Sequence, residues 1–156
     1  MPKIDYRMAT EDDLPALTAV MTRAFDDDSR RHLGVEKGGP PGYDTGDFFR
    51  TWLFADLPTE GYVIICDEVP VGGIIVWLLK DDRFRLGCLF VDPAAQRLGV
   101  GTDAWRFLRE TYPQARNWVL DTPVWSTSNH RFYEKCGFTR VGEEDDSVIY
   151  RQDFER

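Results

Sequence analysis

The segment 89–105, which reads LFVDPAAQRLGVGTDAW, constrains the fold more than any other part of the chain. An apolar, strand-like run leads into a proline-marked turn and then into an amphipathic helix. Gly99 and Gly101 allow a positive φ or a close approach of the backbone to a ligand. The helix that starts there directs unpaired N–H groups and its positive dipole end to the same place. The segment therefore predicts a binding turn for a phosphate or pyrophosphate.

Length and cysteine content predict a single domain with reduced thiols. A chain of 156 residues can bury roughly two thirds of its unfolded surface in one core, so we expect one domain over residues 1–156. Cys66, Cys88 and Cys136 are odd in number and lack metal-ligand spacing, which predicts free, buried thiols and no metal site. The N-terminal residues lack the apolar core of a signal peptide, and no apolar run approaches the ~18 residues that span a bilayer. We therefore expect a cytoplasmic protein that does not enter membranes.

The charge balance restricts the choice of partner. There are 19 Lys and Arg residues against 27 Asp and Glu residues, a formal net charge of −8. This charge disfavours nucleic acid and favours a cationic substrate, although acidity that only maintains solubility is the simpler explanation. A phosphorylated ligand needs local compensation. The backbone amides of the glycine turn, together with Arg97, Arg131 and Lys135, can supply it.

The N-terminal third is predicted to hold a strand and two helices. A short strand over residues 3–8 is followed by a helix that Thr10 caps and that ends near Asp26. A long polar loop then reaches Gly42, and loops of this length are usually functional or mobile. A second helix is predicted over residues 44–56.

The rest of the chain is predicted to be rich in strands. Gly72 and Gly73 indicate a bulge or a close approach of another backbone. Gly137 stands where a helix ending at Lys135 needs a left-handed residue. Strands are expected at 62–66, 71–79, 84–91, 118–120, 138–141 and 147–154, with one helix over 100–112 and another from about 126 to 135.

Two motifs carry a family resemblance. The run Gln96–Gly101, QRLGVG, is similar to the (Q/R)-x-x-G-x-(G/A) pyrophosphate loop of the GNAT superfamily, and Phe132–Phe138, FYEKCGF, is similar to its FYEKxGF segment. The resemblance implies an α/β (α+β) fold, with a mixed, mostly antiparallel sheet of six to seven strands and about four flanking helices. It also implies an N-acetyltransferase that moves an acetyl group from acetyl-CoA to a primary amine by direct attack on the thioester.

The resemblance also implies which residues bind the cofactor. The backbone of the strand before the turn aligns the thioester and pairs with the pantetheine arm, which here corresponds to Leu89, Phe90 and Val91. Relatives often carry an asparagine seven residues before the tyrosine of FYEKxGF, where this chain has Ser126. Asn129 lies one turn further along, on nearly the same helix face. The pyrophosphate loop corresponds to Gln96, Arg97, Leu98, Gly99, Val100, Gly101 and Thr102.

Catalysis requires an acid for the departing thiolate and a route for the proton of the amine. The tyrosine of FYEKxGF usually serves as the acid, which here is Tyr133; the alternative is a core tyrosine. Many relatives carry a glutamate on the strand before the turn, but FRLGCLFV has no carboxylate. Asp121 is our choice of base, with Glu60 and Glu36 as alternatives acting through water, and each can instead be a surface carboxylate.

The acceptor stays open at the level of sequence, between a small molecule and a peptide amine. Acidic residues from Asp26 onward adjoin the loop where relatives form the acceptor site and point to a polyamine, an aminoglycoside or a basic side chain, but a solvated acidic face is the commoner reason for such a run. Phe48, Phe49 and Trp52 would suit an apolar amine. His32 and His130 are expected at the surface, and Trp125 is expected in the pocket wall or the core.

Two other functions compete with the transferase. The missing strand carboxylate is compatible with a non-catalytic acyl-CoA-binding sensor or regulatory module, against which Tyr133 counts. A dinucleotide-dependent oxidoreductase is disfavoured because the glycine turn follows several strands and no G-x-G-x-x-G is present. An exposed sheet edge at the C-terminus is a place where two copies can pair as a homodimer.

Overall fold

Seven strands form one twisted sheet in the order β1-β2-β3-β4-β5-β7-β6 in the computed structural model, which describes residues 2–154. Neighbouring strands are antiparallel except for the parallel pair β4 and β5. The predicted mixed, mostly antiparallel sheet is therefore confirmed. The strands are β1 (Ile4–Met8), β2 (Thr59–Cys66), β3 (Val69–Leu78), β4 (Arg83–Val91), β5 (Asn117–Pro123), β6 (Thr139–Glu144) and β7 (Ser147–Asp153).

Helices cover both faces of the sheet and create two buried clusters. Apolar side chains of α1 and α2, such as Met21 and Phe49, pack against one face, and those of α3 and α4, such as Leu108 and Tyr133, pack against the other. In the described part of the chain, no helix is long and apolar enough to cross a membrane. The helices are α1 (Leu14–Leu33), α2 (Asp47–Trp52), α3 (Val100–Thr111) and α4 (Thr127–Lys135), with 3-10 turns at Glu11–Asp13 and Pro93–Leu98.

The first helix is longer than the sequence predicts. It was expected to end near Asp26 but continues to Leu33 and ends at Gly34, whose φ of 69° is left-handed. The acidic run does not stop it because the carboxylates have partners. Asp26 is buried and accepts hydrogen bonds from the Tyr43 hydroxyl at 2.6 Å and the Gly38 N–H at 3.1 Å. The loop predicted from Asp26 is therefore only 34–46, and its start is held against α1.

The predicted bounds of α2, and of the strands 62–66 and 71–79 that form the β2–β3 hairpin, are also wrong. The second helix covers Asp47–Trp52 rather than 44–56, because the chain reaches it through Gly46 with a φ of 89°. The β2–β3 turn contains only Asp67 and Glu68, since Val69 pairs with Cys66 across the hairpin. Both turn residues have positive φ, 49° and 72°, as in a type I′ turn.

Replacing Glu68 with glycine should stabilise the protein. The left-handed backbone costs an L-residue about 1–2 kcal/mol, and glycine removes that cost while losing about 0.4–1 kcal/mol through greater freedom of the unfolded chain. We expect Glu68→Gly to raise the free energy of unfolding by about 0.5–1 kcal/mol, measured by urea titration. Glu144→Gly, the same change in extended β6, should lower it. An equal decrease in the free energy of unfolding in both variants would contradict the turn assignment.

The two glycines of β3 allow the close approach that the sequence predicts. A Cβ added to Gly72 would lie 2.3 Å from the Phe90 carbonyl oxygen, and one added to Gly73 would lie 2.6 Å from the Phe90 ring. The β2–β3 register also shifts next to Gly72, between Ile64 and Ile65. The strand β3 therefore holds β4 tightly, which fixes the position of the residues before the glycine turn.

The parallel strands β4 and β5 separate after three paired residues. Their pairing is limited to Arg83, Phe84 and Arg85 of β4, opposite residues 117–119 of β5. The antiparallel pairing of β4 with β3 continues to Val91. Beyond Arg85, the edge of β4 that faces β5 therefore has free N–H and C=O groups. This separation creates the candidate site.

Candidate active site

A cleft of about 270 Å³, which we name the β4–β5 cleft, lies where the two strands separate. It brings together the end of β4, the glycine turn (residues 96–102), one face of α4 and one face of α1. Motifs about thirty residues apart in sequence therefore share one cavity. Its lining residues are Ala24, Phe25, Asp28, Arg31, Leu89, Phe90, Val91, Gln96, Gly99, Gly101, Thr102, Ser128, Asn129, Phe132 and Tyr133.

The glycine turn has the geometry expected of an anion site. Gly99 has a φ of 75° and is the N-cap of α3, so the unpaired N–H groups of the first turn of α3 lie at the cleft. A Cβ on Gly101 would lie 3.1 Å from the Phe132 ring. Glycine at this position therefore lets α4 pack closely against the turn, which sets the width of the cleft.

The seven predicted turn residues do not contribute equally. Gln96, Gly99, Gly101 and Thr102 line the cleft. The Gln96 side chain donates to the Val91 carbonyl at 3.1 Å, so it fastens the turn to the end of β4. Arg97 and Leu98 are exposed and do not line the cleft. The Val100 side chain is fully buried in the core, so only the backbone of this residue can face a ligand.

The end of β4 lies where the sequence predicts it. Leu89, Phe90 and Val91 all line the cleft. They pair with β3 on one side only, because β5 has diverged by this point. Apart from the Val91 carbonyl, which accepts from Gln96, the backbone groups here that point away from β3 form an edge to which an extended, amide-bearing ligand can add like a further strand.

Local geometry at the end of α4 positions Tyr133. Gly137 has a φ of 103°, the Phe138 N–H donates to the Tyr133 carbonyl at 3.0 Å, and the Gly137 N–H donates to the Glu134 carbonyl at 3.1 Å. These are the two hydrogen bonds of a Schellman motif. The Phe138 ring packs against the Tyr133 ring at 5.8 Å between centroids. The motif therefore fixes the backbone and ring of Tyr133 together.

The Tyr133 hydroxyl belongs to a buried side chain that lines the cleft. It makes no hydrogen bond to any residue between 2 and 154. Burial raises the pKa of the phenol above its usual 10, and the nearby Cys88, Cys136 and Asp121 raise it further. Burial also raises the pKa of the Cys88 thiol, to about 12. Near neutral pH the phenol is therefore protonated, free and directed to the cleft.

The three candidate bases occupy different places. Asp121 on β5 is partly exposed and forms an ion pair with Arg85 of β4, just where the strands separate. It does not line the cleft, but it is near enough to Tyr133 to raise the pKa of the phenol. Glu60 instead accepts a hydrogen bond from Tyr112 at 2.6 Å, outside the cleft, and Glu36 lies in the exposed loop after α1.

Of Ser126 and Asn129, the two residues considered for the cofactor contact near α4, only Asn129 lines the cleft. Its Nδ2 donates to Thr122 Oγ1 at 3.2 Å, which leaves its carbonyl oxygen available to a ligand. Ser126 is fully buried and does not line the cleft. Its hydroxyl donates to Asp28 at 3.1 Å rather than capping α4.

Sequence reasoning missed the wall that α1 contributes. Asp28 and Arg31 line the cleft along with residues 24 and 25, and Asp28 also contacts His32 Nδ1 at 3.0 Å. The signal is the three- and four-residue spacing of these side chains on one helix face, which is visible only if α1 extends beyond Asp26. The basic residue that lines the cleft is therefore Arg31. The sequence predicts Arg97, Arg131 and Lys135 for this role, and none of these three lines the cleft.

Two histidines expected at the surface are partly buried. The His32 side chain is only 13% exposed and lies beside Trp125, with 6.0 Å between ring centroids. His130 Nε2 lies 2.9 Å from the Pro123 carbonyl oxygen. Both therefore hold the β5–α4 connection in place.

Comparison with known proteins agrees with the fold. Residues 21–138 match the model of the acetyltransferase (GNAT) family, so the chain belongs to that family and is an acyltransferase. It is 28% identical over 169 residues to the uncharacterized protein YrkN of Bacillus subtilis (strain 168), covering 97% of this chain and 90% of YrkN.

Two solved structures share the architecture. An acetyltransferase from Thermus thermophilus superposes with a TM-score of 0.80 at 19% identity, over 97% of each chain. The PaiA N-acetyltransferase from Thermoplasma acidophilum, solved in complex with coenzyme A, superposes with a TM-score of 0.81 at 14% identity, over 97% of this chain and 99% of that one. At these identities the likeness shows a common fold.

Proposed function

We propose that this protein is an N-acetyltransferase that transfers the acetyl group of acetyl-CoA to a primary amine by direct attack on the thioester. The observation that carries the proposal is that one cleft holds three features together: the glycine turn, the free edge of β4 and the unpaired hydroxyl of Tyr133. The coenzyme A bound to the similarly folded PaiA protein supports the choice of cosubstrate.

The cleft suits the chemical parts of acetyl-CoA in order. The N–H groups at the start of α3 would hold the pyrophosphate, and Arg31 of α1, which is paired with Asp27 and Asp28, would add a side-chain donor. The free edge of β4 at residues 89–91 would pair with the amides of the pantetheine arm. Asn129 would offer its carbonyl oxygen to the same arm. In this arrangement the thioester would lie near Leu89 and Tyr133.

The nitrogen of a protonated acceptor loses two protons in the transfer, and the leaving thiolate gains one. The first proton passes to Asp121 through water, which leaves a neutral amine. The amine nitrogen then forms a bond to the acetyl carbon while the bond between that carbon and sulfur breaks. Tyr133 gives its proton to the leaving thiolate, and the second N–H proton restores the Tyr133 hydroxyl as the amide forms. For an alkyl amine of pKa about 10.4, reaching the neutral form at pH 7.4 costs about 4 kcal/mol, so an acceptor for the first proton is needed.

The function is tested by mixing the protein with acetyl-CoA and a panel of primary amines and measuring free thiol and acetylated amine. We expect equal amounts of both products and a melting temperature that rises with acetyl-CoA concentration. A rise in melting temperature with no product from any amine would indicate the non-catalytic acyl-CoA-binding module instead. The absence of both product and stabilisation would contradict both functions.

Asp121→Asn should lower kcat/KM by about 100-fold, the low end of the range for loss of a general base. Steady-state rates at saturating acetyl-CoA and varied amine concentration measure this effect. Glu60→Gln is the matched control, since it removes a rival carboxylate outside the cleft. A greater loss in Glu60→Gln than in Asp121→Asn would overturn the assignment.

We further propose a single domain that acts in the cytoplasm. Cys66, Cys88 and Cys136 are free thiols, as a reducing compartment favours. The C-terminal edge strand β6 offers Val141, which is 57% exposed, as a pairing surface for a homodimer.

A further inference from the structure

A second cavity, which we name the aromatic groove, lies under α2. Its volume is about 450 Å³, within the range of small-molecule pockets. Trp52 and Trp77 meet edge to face with ring centroids 6.1 Å apart, and Trp52 is 42% exposed. The lining residues are Phe48, Trp52, Ile75, Trp77, Leu79, Arg85 and Gly87.

The aromatic groove and the β4–β5 cleft meet at the same short segment of β4. Gly87 lines the groove and Leu89 lines the cleft, and two residues along a strand span about 7 Å. The groove lies on the sheet face that α1 and α2 cover, because Ile75 and Phe48 belong to that buried cluster. A small molecule in the groove can therefore reach the end of the cleft from the opposite side to the glycine turn.

An irregularity in β4 keeps the groove open at this junction. Ile75 pairs with Cys88 and Val76 pairs with Leu86, so Gly87 is an extra, bulged residue. A Cβ on Gly87 would lie 2.8 Å from Trp77 Cδ1. Any larger residue would therefore displace the Trp77 ring that forms the groove wall.

Charge indicates which amines fit. Of the described residues that line the groove, Arg85 alone is charged, and its partner Asp121 lies at the junction with the cleft. No carboxylate among these lining residues can pair with a second ammonium group, whereas Asp121 lies beside the end of the groove where the reacting amine must sit. The aromatic and aliphatic walls stabilise an apolar body.

We propose that the aromatic groove is the acceptor subsite of the proposed acetyltransferase, and that it takes primary monoamines with an aryl or bulky alkyl body rather than polyamines. The amine nitrogen attacks the thioester from the β4 bulge, while the body of the acceptor packs between Trp52, Trp77 and Phe48. The inference rests on the proposed function, and it adds a substrate class and the residues that select it.

The test compares phenethylamine, ethylamine and spermidine as acceptors at saturating acetyl-CoA. We expect kcat/KM for phenethylamine to exceed that for ethylamine by at least ~100-fold, because each added apolar group in such a pocket contributes ~10-fold. It should also exceed that for spermidine, because the described residues of the groove lining offer no carboxylate to a second ammonium group. Trp52→Ala should raise KM for phenethylamine by at least ~10-fold and leave both kcat and the Kd of acetyl-CoA within about twofold. Leu79→Ala is a second variant of the same wall, and Val69→Ala, an exposed site outside the groove, is the matched control.

The outcomes separate this inference from the proposed function. A preference for spermidine, or a KM change in the groove variants no larger than in Val69→Ala, overturns the inference while acetyl transfer stands. If no amine is acetylated, the proposed function fails, and calorimetry of phenethylamine with the CoA-loaded protein decides the groove separately. Binding that Trp52→Ala weakens then supports the groove as an amine site, and absence of binding overturns it.

Discussion

Tyr133→Phe should lower kcat by at least about 100-fold while the Kd of acetyl-CoA changes by less than about twofold. The substitution removes only the hydroxyl, and the packing of the ring against Phe138 and the Schellman hydrogen bonds stay in place. Without this proton donor, the thiolate must leave unprotonated or take its proton from water. Steady-state rates with a saturating amine and calorimetric titration of acetyl-CoA measure the two quantities.

Tyr112→Phe is the matched control for that variant. The Tyr112 hydroxyl is hydrogen-bonded to Glu60 and Tyr62 outside the cleft, so its removal should lower stability but leave kcat unchanged. Similar losses of kcat in both variants would show that phenol removal acts through folding. A Tyr133→Phe enzyme with full kcat would contradict the role of Tyr133 as the acid.

The pH dependence gives a second test of Tyr133. Its pKa is raised above 10 by burial first and by the nearby Cys88, Cys136 and Asp121 next, so the phenol keeps its proton below pH 10. We therefore expect that ionisation of Tyr133 causes no fall in kcat of the wild type between pH 8 and 10. Any fall in this range should persist in Tyr133→Phe. A falling limb with an apparent pKa near 9 that is lost in that variant would contradict the raised pKa.

Gly101→Leu should raise the Kd of acetyl-CoA by about 100-fold, or about 2.7 kcal/mol. A Cβ at this position already lies 3.1 Å from the Phe132 ring, so a leucine either displaces α4 or enters the cleft. Either result removes the close approach of the α3 N–H groups to the pyrophosphate. Isothermal calorimetry with acetyl-CoA measures the change.

Gly142→Leu is the control for this effect. Gly142 lies on β6, and a Cβ there would have no atom within 4 Å. We expect its Kd for acetyl-CoA to stay within about twofold of the wild type. A Gly101→Leu protein that melts normally and binds acetyl-CoA as tightly as the control would show that the cofactor does not use the glycine turn.

The fold features that the sequence predicts depend on local patterns. Periodicity and glycine position locate the strand, the turn and α3, and Gly137 with Phe138 predicts the Schellman motif that fixes Tyr133. The end of α1 could not be predicted in this way. The acidic residues 26–28 are stabilised by partners distant in sequence, such as Tyr43 and Ser126, and only tertiary contacts show this.

The same limit applies to the candidate site. The sequence motifs indicate the turn and Tyr133, because both depend on backbone geometry over a few residues. The α1 wall with Asp28 and Arg31, the ion pair between Arg85 and Asp121, and the aromatic groove arise from sheet order and strand separation. Ser126 and Asn129 share a helix face in sequence, but only Asn129 reaches the cleft, because Asp28 holds Ser126 in the protein interior.

The most direct test of the account is a single-turnover reaction with acetyl-CoA carrying a ¹³C-labelled acetyl group and phenethylamine, analysed by mass spectrometry. We predict that the wild type forms labelled N-acetylphenethylamine and free CoA thiol in equal amounts, and that Tyr133→Phe binds acetyl-CoA equally well but forms both at least about 100-fold more slowly. Bound acetyl-CoA that stays intact in the wild type with every primary amine tested would contradict it.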